Sequence, residues 1–269
     1  MTPRGRLLFF LPALVVLGVF VLVPAGQTLV GSFHRVGPDG ASEYVGGLYY
    51  RYAATDPELH RAFANNVVYF LLTLPFEVGA GLLLALALEG RGRARALLRL
   101  CFFAPVALSM VVVGLVFGFL FKDGVGVFPG LLAEGRALLT ISLVSGWAFA
   151  GVYMVIFLAG LSAIPREVEE AARLDGAGAW QVAWHVKLPL LRRTTGVALL
   201  LCFVGAFRAF DLFWVMLPNQ EHTSVVATLL VREVLQFDDP GYGSALAVLL
   251  SGFVLGVLGL VQAVRGTRG

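Results

Sequence analysis

Residues 164–193 read IPREVEEAARLDGAGAWQVAWHVKLPLLRR, the only long stretch of the chain that is dense in charge. Apolar runs flank this stretch on both sides, and they are too long for ordinary core helices. Of all 269 residues, 58% are hydrophobic and 14% are charged, and the mean hydropathy is +0.85. Soluble proteins are far more polar. The sequence therefore predicts an integral membrane protein.

The charged segment is predicted to form two short helices joined at an elbow. Pro165 suits a helix start, and the glutamates after it favour the positive end of the helix dipole. Gly176 can adopt the left-handed conformation that closes a helix. A second helix is predicted from about Ala179 to Lys187, with Pro189 ending it and beginning the next. Its spacing aligns Trp180, Ala183, Trp184 and Lys187 along one stripe, and such an exposed patch marks an interface.

The predicted fold class is all-α integral membrane, with the whole chain forming one transmembrane domain of six helices. The predicted spans cover residues 7–29, 66–88, 100–121, 138–161, 194–217 and 242–264, and the charged segment connects spans four and five. Within the connection 31–61, Asp56-Pro57-Glu58 is a possible helix start. In span three, Gly114 and Gly118 share a helix face that would admit a second backbone closely, unless their spacing arises by chance.

Basic residues in the connections predict the orientation, because Lys and Arg near span ends are retained in the cytoplasm. The two chain ends, residues 89–99 and residues 164–193 together contain thirteen, whereas the connections 31–61, 122–136 and 218–240 contain six. Both termini and the charged segment are therefore predicted to be cytoplasmic. Short basic clusters between apolar runs do not form the continuous patch that nucleic acid requires. Two cysteines inside apolar runs predict neither a disulfide framework nor a metal site.

Glu170-Ala171-Ala172, Gly176 and Val186-Lys187-Leu188-Pro189 together resemble the EAA motif of membrane permease subunits in binding-protein-dependent ABC importers. Isoleucine is commoner than valine at the position of Val186. Nearly the whole chain is similar to the carbohydrate-importer branch, including Ile164-Pro165, Asp175-Gly176-Ala177, residues 7–33 and 81–88, and Phe210-Asp211 followed by residues 241–245. The chain departs from that branch at Pro218-Asn219-Gln220-Glu221, where a Gly-Gly-Pro-containing stretch is usual. That departure concerns the binding protein or the solute rather than the ATPase.

The resemblance implies a permease subunit in a bacterial or archaeal cytoplasmic membrane, forming half of a pathway for a sugar or sugar-like solute. It implies a second permease subunit, commonly a different chain, two copies of an ABC ATPase subunit, and an extracytoplasmic binding protein. The residues expected to couple to the ATPase are Glu170, Ala171, Ala172, Asp175, Gly176, Ala177, Trp180, Trp184, Val186, Leu188 and Pro189. Glu170 is expected to meet a basic residue of the ATPase, although it could merely complement a helix dipole.

ATP chemistry is not expected in this chain. It has no Gly-x-x-x-x-Gly-Lys loop, so ATP and magnesium are expected to bind to the partner ATPase. The chain itself is predicted to hold no cofactor and not to be an enzyme.

Ionisable side chains inside predicted spans cost about 2.5–3.5 kcal/mol each at a helix centre, so Glu77, Arg208 and Asp211 are candidates for a translocation pathway. Arg208 and Asp211 are three residues apart on one predicted helix face, where they could simply neutralise each other. Glu77 could pair with Arg208, bind water or stay protonated. Aromatic residues near the pair could line the pathway or serve only in packing: Phe207, Phe210 and Trp214.

Two other classes of protein remain as alternatives. A self-contained secondary transporter would need internal repeats and coupling-ion residues near the middle of the membrane. A membrane enzyme would need a nucleophile, a base and an orienting group, whereas the four histidines are scattered over predicted loops. An ABC importer for another polar solute, such as a glycerol phosphate, also remains open.

Overall fold

The computed structural model describes the backbone of residues 3–37, 39–217 and 221–266, and most of it is helical. The helices are α1 (residues 3–31), α2 (Leu48–Thr55), α3 (Pro57–Ala87), α4 (Arg93–Ala107), α5 (Met110–Phe121), α6 (Ala137–Ser162), α7 (Arg166–Leu174), α8 (Ala179–Leu190), α9 (Arg192–Phe207), α10 (Asp211–Met216), α11 (Val226–Leu235) and α12 (Pro240–Gly266). A short 3₁₀ turn lies at Glu221–Thr223. An antiparallel hairpin of β1 (His34–Val36) and β2 (Ser42–Tyr44) is the one departure from all-α structure within the described residues.

Four of the described helices are individually long and apolar enough to cross a membrane: α1, α3, α6 and α12. They correspond to predicted spans one, two, four and six. Helix α3 starts at Pro57 rather than near Asn66, so the possible helix start at Asp56 belongs to span two itself. The amide of Glu58 donates to Asp56 Oδ1 at 2.9 Å, which is the predicted cap.

Residues 100–121, which are predicted as span three, do not form a single straight helix. Helices α4 and α5 meet at an angle of 91°, and the chain is extended at Leu108 and Ser109 between them. Pro105 lies in the last, 3₁₀ turn of α4 and donates no backbone hydrogen bond. Helices α8 and α9 also meet at a bend, of 71°, so the described residues contain four spans, or up to six if each bent pair counts as one.

Residues 194–217, which are predicted as span five, are likewise divided between two helices. Helix α9 ends at Phe207, and α10 begins at Asp211 after a break in which Phe210 leaves helical geometry. The carbonyl of Ala206 accepts a hydrogen bond from Asn66 Nδ2 at 2.9 Å, so a side chain of α3 satisfies a backbone group at the end of α9.

The predicted loops contain more structure than expected. Residues 31–61 form the hairpin and α2, and residues 218–240 contain α11, whose Val226 and Leu229 are buried. The segment 122–136 consists of turns, as predicted. Pro218, Asn219 and Gln220, where the chain departs from the carbohydrate branch, lie outside the described residues. The side chains of Arg4, Arg6, Arg265 and Arg268 are outside them too.

The chain divides into two compact units. One contains Met1–His60 and Val226–Gly269, and the other contains Arg61–Val225. In the first unit, α12 packs against the end of α1, the hairpin, α2 and α11. Tyr49 donates to Asp239 Oδ1 at 2.8 Å, and Tyr242 donates to Asp56 Oδ2 at 2.5 Å. These bonds fix the residues before α3 to the start of α12.

In the second unit, α6 is the most buried helix and packs against residues 74–87 of α3. The approach is close because Gly146 of α6 faces Phe76, and any larger side chain there would collide with it. Helix α5 packs against α10, as the glycine spacing predicts: a Cβ on Gly114 would lie 3.2 Å from Val215, and one on Gly118 would lie 3.7 Å from Met216.

Candidate coupling segment and transmembrane cavity

The segment between α6 and α9 forms the predicted elbow. Helix α7 follows Pro165 and carries Glu167 and Glu169 in its first turn. It ends at Gly176, whose φ of +86° is the left-handed conformation expected there. The amide of Ala177 donates to Ala172 O and that of Gly176 to Arg173 O, both at 3.0 Å. This pair of bonds is the Schellman closure of a helix, so the elbow has a defined geometry.

The second arm of the elbow, α8, is longer than predicted. Gln181 Oε1 accepts a hydrogen bond from the amide of Gly178 at 2.8 Å, which secures the start of the helix. A widened π turn spans Val182–Lys187, and the helix continues through Pro189 to Leu190. The prediction that Pro189 separates two helices is therefore wrong. The wider turn before the proline accommodates its ring, and the bend falls at the buried Leu191.

The elbow exposes large apolar side chains. Leu174 is 89% exposed, Trp180 is 70% exposed and Trp184 is 54% exposed. The two indole rings stack with centroids 5.8 Å apart and an angle of 18° between their planes. Among the other predicted coupling residues, Glu170, Ala171, Asp175 and Pro189 are exposed, and Ala172, Ala177, Val186 and Leu188 are half-buried. Apolar surface of this kind favours docking of another protein.

Lys187 does not belong to the exposed stripe, which corrects the predicted alignment with the tryptophans. It is only 7% exposed and lies 2.5 Å from Glu89 Oε2 and 3.1 Å from Glu169 Oε1. Glu89 follows the last turn of α3, and Glu169 belongs to α7. A single ammonium group thus fastens both arms of the elbow to the end of α3.

Arg99 of α4 strengthens the same junction. Its guanidinium donates to the carbonyl of Leu88 from Nε at 3.1 Å and from Nη2 at 2.5 Å, and to that of Gly90 at 2.6 Å. These carbonyls are at the end of α3, where helices leave acceptors unsatisfied. Sequence reasoning missed both Arg99 and the ion-pair role of Lys187. The basic residues that follow Gly90 and Gly92 were a signal that an arginine could cap the end of α3. No spacing rule connects Lys187 with Glu89.

A second feature is a cavity of about 250 Å³ within the residue 61–225 unit. Its polar side chains are Tyr69, Glu77, Ser145, Tyr153, Arg208 and Asp211. Phe149 and Phe210 contribute aromatic surface to its wall. The cavity therefore brings together the three ionisable residues that the sequence singled out.

Glu77 has a hydrogen-bond partner on α6. It is 7% exposed, and its Oε1 accepts a hydrogen bond from Ser145 Oγ at 2.6 Å. Arg208 and Asp211 do not share a helix face, because the helix is interrupted between them. Within the described residues, no ion pair within 4.0 Å joins Arg208 to Asp211 or to Glu77. Arg208 and Asp211 are both exposed, and they line the cavity from the two ends of the break between α9 and α10.

The three aromatic residues predicted near the pathway have different environments. Phe210 lines the cavity, and Trp214 stacks on it with ring centroids 5.4 Å apart. Phe207 is 1% exposed and packs between Phe63 and Phe203, so it is a core residue. Met110 at the wall was not predicted, because its position depends on the bend between α4 and α5.

Three interruptions of helical structure meet at this cavity. Glu77 lies in a π turn that spans Leu74–Gly79 and includes Pro75. Met110 is the first residue after the bend between α4 and α5, and Arg208 follows the end of α9. Irregular backbone at membrane depth is tolerated where it lines a cavity, and interrupted helices are typical of solute sites in membrane transporters. The fold and the site are thus those of a membrane transport protein with an exposed apolar elbow.

Comparison with known proteins identifies the family. Residues 77–265 match the family model described as binding-protein-dependent transport system inner membrane component, and the chain belongs to this family. It is 30% identical to the osmoprotective compounds uptake permease protein GgtC of Synechocystis sp., an alignment that covers 90% of this chain and 92% of that protein. It is 29% identical to the arabinooligosaccharides transport system permease protein AraP of Bacillus subtilis, covering 90% of this chain and 82% of that protein.

A solved structure has the same fold. The crystal structure of a bacterial ABC transporter involved in the import of the acidic polysaccharide alginate matches with a TM-score of 0.80 and 21% identity, covering 97% of this chain and 95% of that chain. The predicted helical membrane fold and the family resemblance are confirmed, while the count of six spans stays a prediction. The chain is a permease subunit of a binding-protein-dependent importer in the inner membrane.

Proposed function

We propose that the elbow of residues 164–193 couples this permease to a separate ATPase that binds ATP and magnesium. The observation that carries the proposal is the rigid elbow itself, closed by Gly176 and exposing Leu174 and two stacked tryptophans. An apolar surface this prominent needs a partner, and the Lys187 ion pairs provide a route by which movement of that partner reaches α3. Movement is therefore transmitted to α3 as well as to α6 and α9.

The assembly proposed for the chain contains a second permease subunit, two ATPase subunits and an extracytoplasmic binding protein. The elbow and both termini face the cytoplasm, an orientation supported by the excess of basic residues in their connections. Within the elbow, Glu170 meets a basic group of the ATPase. Its exposure supports this role, since no ion pair within 4.0 Å holds it among the described side chains.

The solute is proposed to be a sugar or a similar polyhydroxylated compound, passing between this subunit and the second permease. The cavity supports this class because it combines carboxylate, guanidinium and hydroxyl groups with the faces of Phe149 and Phe210. Hydroxyl-rich solutes need many polar partners and also present apolar ring faces. The similarity to the arabinooligosaccharides permease supports a sugar, and the similarity to the osmoprotective compounds permease is a reason to include osmoprotective compounds in the uptake panel.

The coupling proposal is tested by copurification of the assembled transporter in mild detergent. The double variant Trp180→Ala and Trp184→Ala removes the exposed indoles and is expected to lose most of the ATPase subunit. Phe128→Ala is the matched control, because Phe128 is also exposed but lies in the 122–136 connection. Full retention of the ATPase by the double variant, with unimpaired ATP-driven uptake, would contradict the assignment.

The pathway proposal is tested separately by uptake into vesicles containing the assembled transporter. Glu77→Gln keeps the size of the side chain but removes its charge, and Ser145→Ala removes its hydrogen-bond donor. Both are expected to change solute preference or uptake rate while the ATPase still copurifies. If both variants transport every solute in the panel as the unmodified protein does, the cavity is not part of the pathway.

A further inference from the structure

A second, larger cavity lies beside the elbow, at the end of α3. It has a volume of about 930 Å³ and is lined by the ends of α3 and α6, the start of α7 and the segment that leads into α4. Six basic and three acidic side chains line this space, which we call the basic cleft. The acids are Glu89, Glu169 and Glu170, and the first two are engaged by Lys187.

The remaining positive charge of the basic cleft comes from arginines. Arg91, Arg95, Arg166 and Arg173 line it, and no ion pair within 4.0 Å holds any of them among the described side chains. Arg99 is held by backbone carbonyls, which leave its charge uncompensated. Like charges concentrated in one cleft repel each other, and a bound anion relieves that repulsion. The chemistry of the cleft therefore selects a negatively charged group.

An apolar groove adjoins the basic cleft. It has a volume of about 500 Å³ and is formed by α3, α4 and α6, with Phe76, Leu83, Leu84, Phe102, Leu143 and Trp147 on its walls. Ala87 lines both the groove and the cleft. The groove extends back from Ala87 along α3, whereas the cleft is lined by Leu86, Ala87 and the residues that follow the end of α3. The two spaces thus adjoin at the end of α3, where their lining changes from apolar to cationic.

We propose that the basic cleft and the apolar groove together bind one anionic phospholipid. Its phosphate would lie among Arg91, Arg95 and the neighbouring arginines, and an acyl chain would lie along α3. Basic pockets between transmembrane helices bind lipid headgroups in this way, and each basic residue near the membrane surface contributes about 1 kcal/mol. The site is separate from the solute cavity and does not depend on which solute is imported.

The proposal is tested on the purified assembled transporter, after exchange into detergent, by native mass spectrometry with added lipid. Dioleoyl phosphatidylglycerol and dioleoyl phosphatidylcholine differ in headgroup charge but have the same acyl chains. We expect preferential binding of the former. Loss of two arginines in Arg91→Gln with Arg95→Gln should weaken that preference about thirtyfold, which corresponds to about 2 kcal/mol.

Arg192→Gln with Arg193→Gln is the matched control, since both residues are exposed near the elbow but do not line the basic cleft. It is expected to keep the preference. Ala87→Trp should block the junction and reduce binding of both lipids. The proposal is overturned if the Arg91 and Arg95 variant binds phosphatidylglycerol normally, if the control loses equally, or if the assembled transporter binds neither lipid because a partner subunit covers the site. Inorganic phosphate competing as well as the lipid would show that the ligand is a soluble anion and would also overturn it.

Discussion

Replacement of Lys187 by methionine tests the junction between the elbow and α3. Methionine keeps much of the apolar stem but removes the ammonium group that lies 2.5 Å from Glu89 and 3.1 Å from Glu169. Two carboxylates then remain next to each other in a partly buried position. Their repulsion and lost pairing should release the elbow from the end of α3.

The magnitude follows from the burial of the three side chains. The lysine side chain is 9% exposed, whereas the carboxylate side chains are 28% and 21% exposed. Removing one partner of a fully buried pair costs about 3–5 kcal/mol, and an exposed pair contributes less than about 1 kcal/mol. The intermediate exposure gives about 2 kcal/mol for release of the elbow. A free energy of this size increases the open population about thirtyfold.

Limited trypsin digestion of the protein in lipid nanodiscs measures this opening. Cleavage after Arg173 requires local unfolding of α7, and its rate follows the open population when closing is fast. We expect cleavage there to be about thirtyfold faster in Lys187→Met. The chain contains one other lysine, Lys122, which is exposed in a turn segment and provides the matched control Lys122→Met.

The result has an internal check in the remaining carboxylates. Adding Glu89→Gln and Glu169→Gln to Lys187→Met removes both uncompensated charges and should restore slow cleavage in large part. An unchanged cleavage rate in Lys187→Met would refute the reasoning. Equal acceleration in Lys122→Met would do the same, because it would show a general effect of losing a lysine.

Three further predictions concern other parts of the chain. Gly176→Val should leave the protein in the membrane but uncouple uptake from ATP hydrolysis, because valine at this positive φ costs about 1–3 kcal/mol. The control Gly178→Val, at an ordinary φ of −68°, should stay coupled. Equal transport by the two variants would contradict the elbow geometry. Gly114→Leu should lower the free energy of unfolding by about 1–3 kcal/mol, because the leucine would collide with Val215. Gly118→Ala should lower it much less. Thermal unfolding of both variants in nanodiscs measures the difference. Burial raises the pKa of Glu233 to about 7, so the stability of the protein should fall by about 1 kcal/mol, after allowance for the exposure of this side chain, as the pH rises from about 4.5 to 7. Glu233→Gln should flatten that part of the plot of unfolding temperature against pH. An unchanged plot would exclude a role for this carboxyl.

The elbow was predictable from sequence because its determinants are local. A left-handed glycine, a proline before a helix and exposed aromatics four residues apart each depend only on residues nearby in sequence. The position of Pro189 was misread for a complementary reason. Sequence rules treat proline as a boundary, but the π turn before it allows α8 to continue, and a π turn leaves no simple periodic signal.

The interrupted helices could not be predicted from apolar composition. Residues 100–121 and 194–217 are long enough to cross a membrane. Hydropathy indicates how long an apolar segment is but not whether its helix bends. At the break after α9, Asn66 of α3 donates to the carbonyl of Ala206, a contact between residues distant in sequence. Likewise, Glu77 was recognised as unusual by its cost in a span, but its hydroxyl partner on α6 became apparent only in the folded structure.

The same helix, α3, connects the two features that a coupled importer requires. Glu77 lies in its π turn at the cavity proposed for the solute, and Glu89 follows its last turn at the Lys187 junction. A π turn inside an α-helix is frequent at functional sites, and we expect displacement of the Glu89 end to alter the geometry at Glu77. The elbow on one side and the cavity on the other are therefore expected to communicate through a helix that the sequence motif itself does not include.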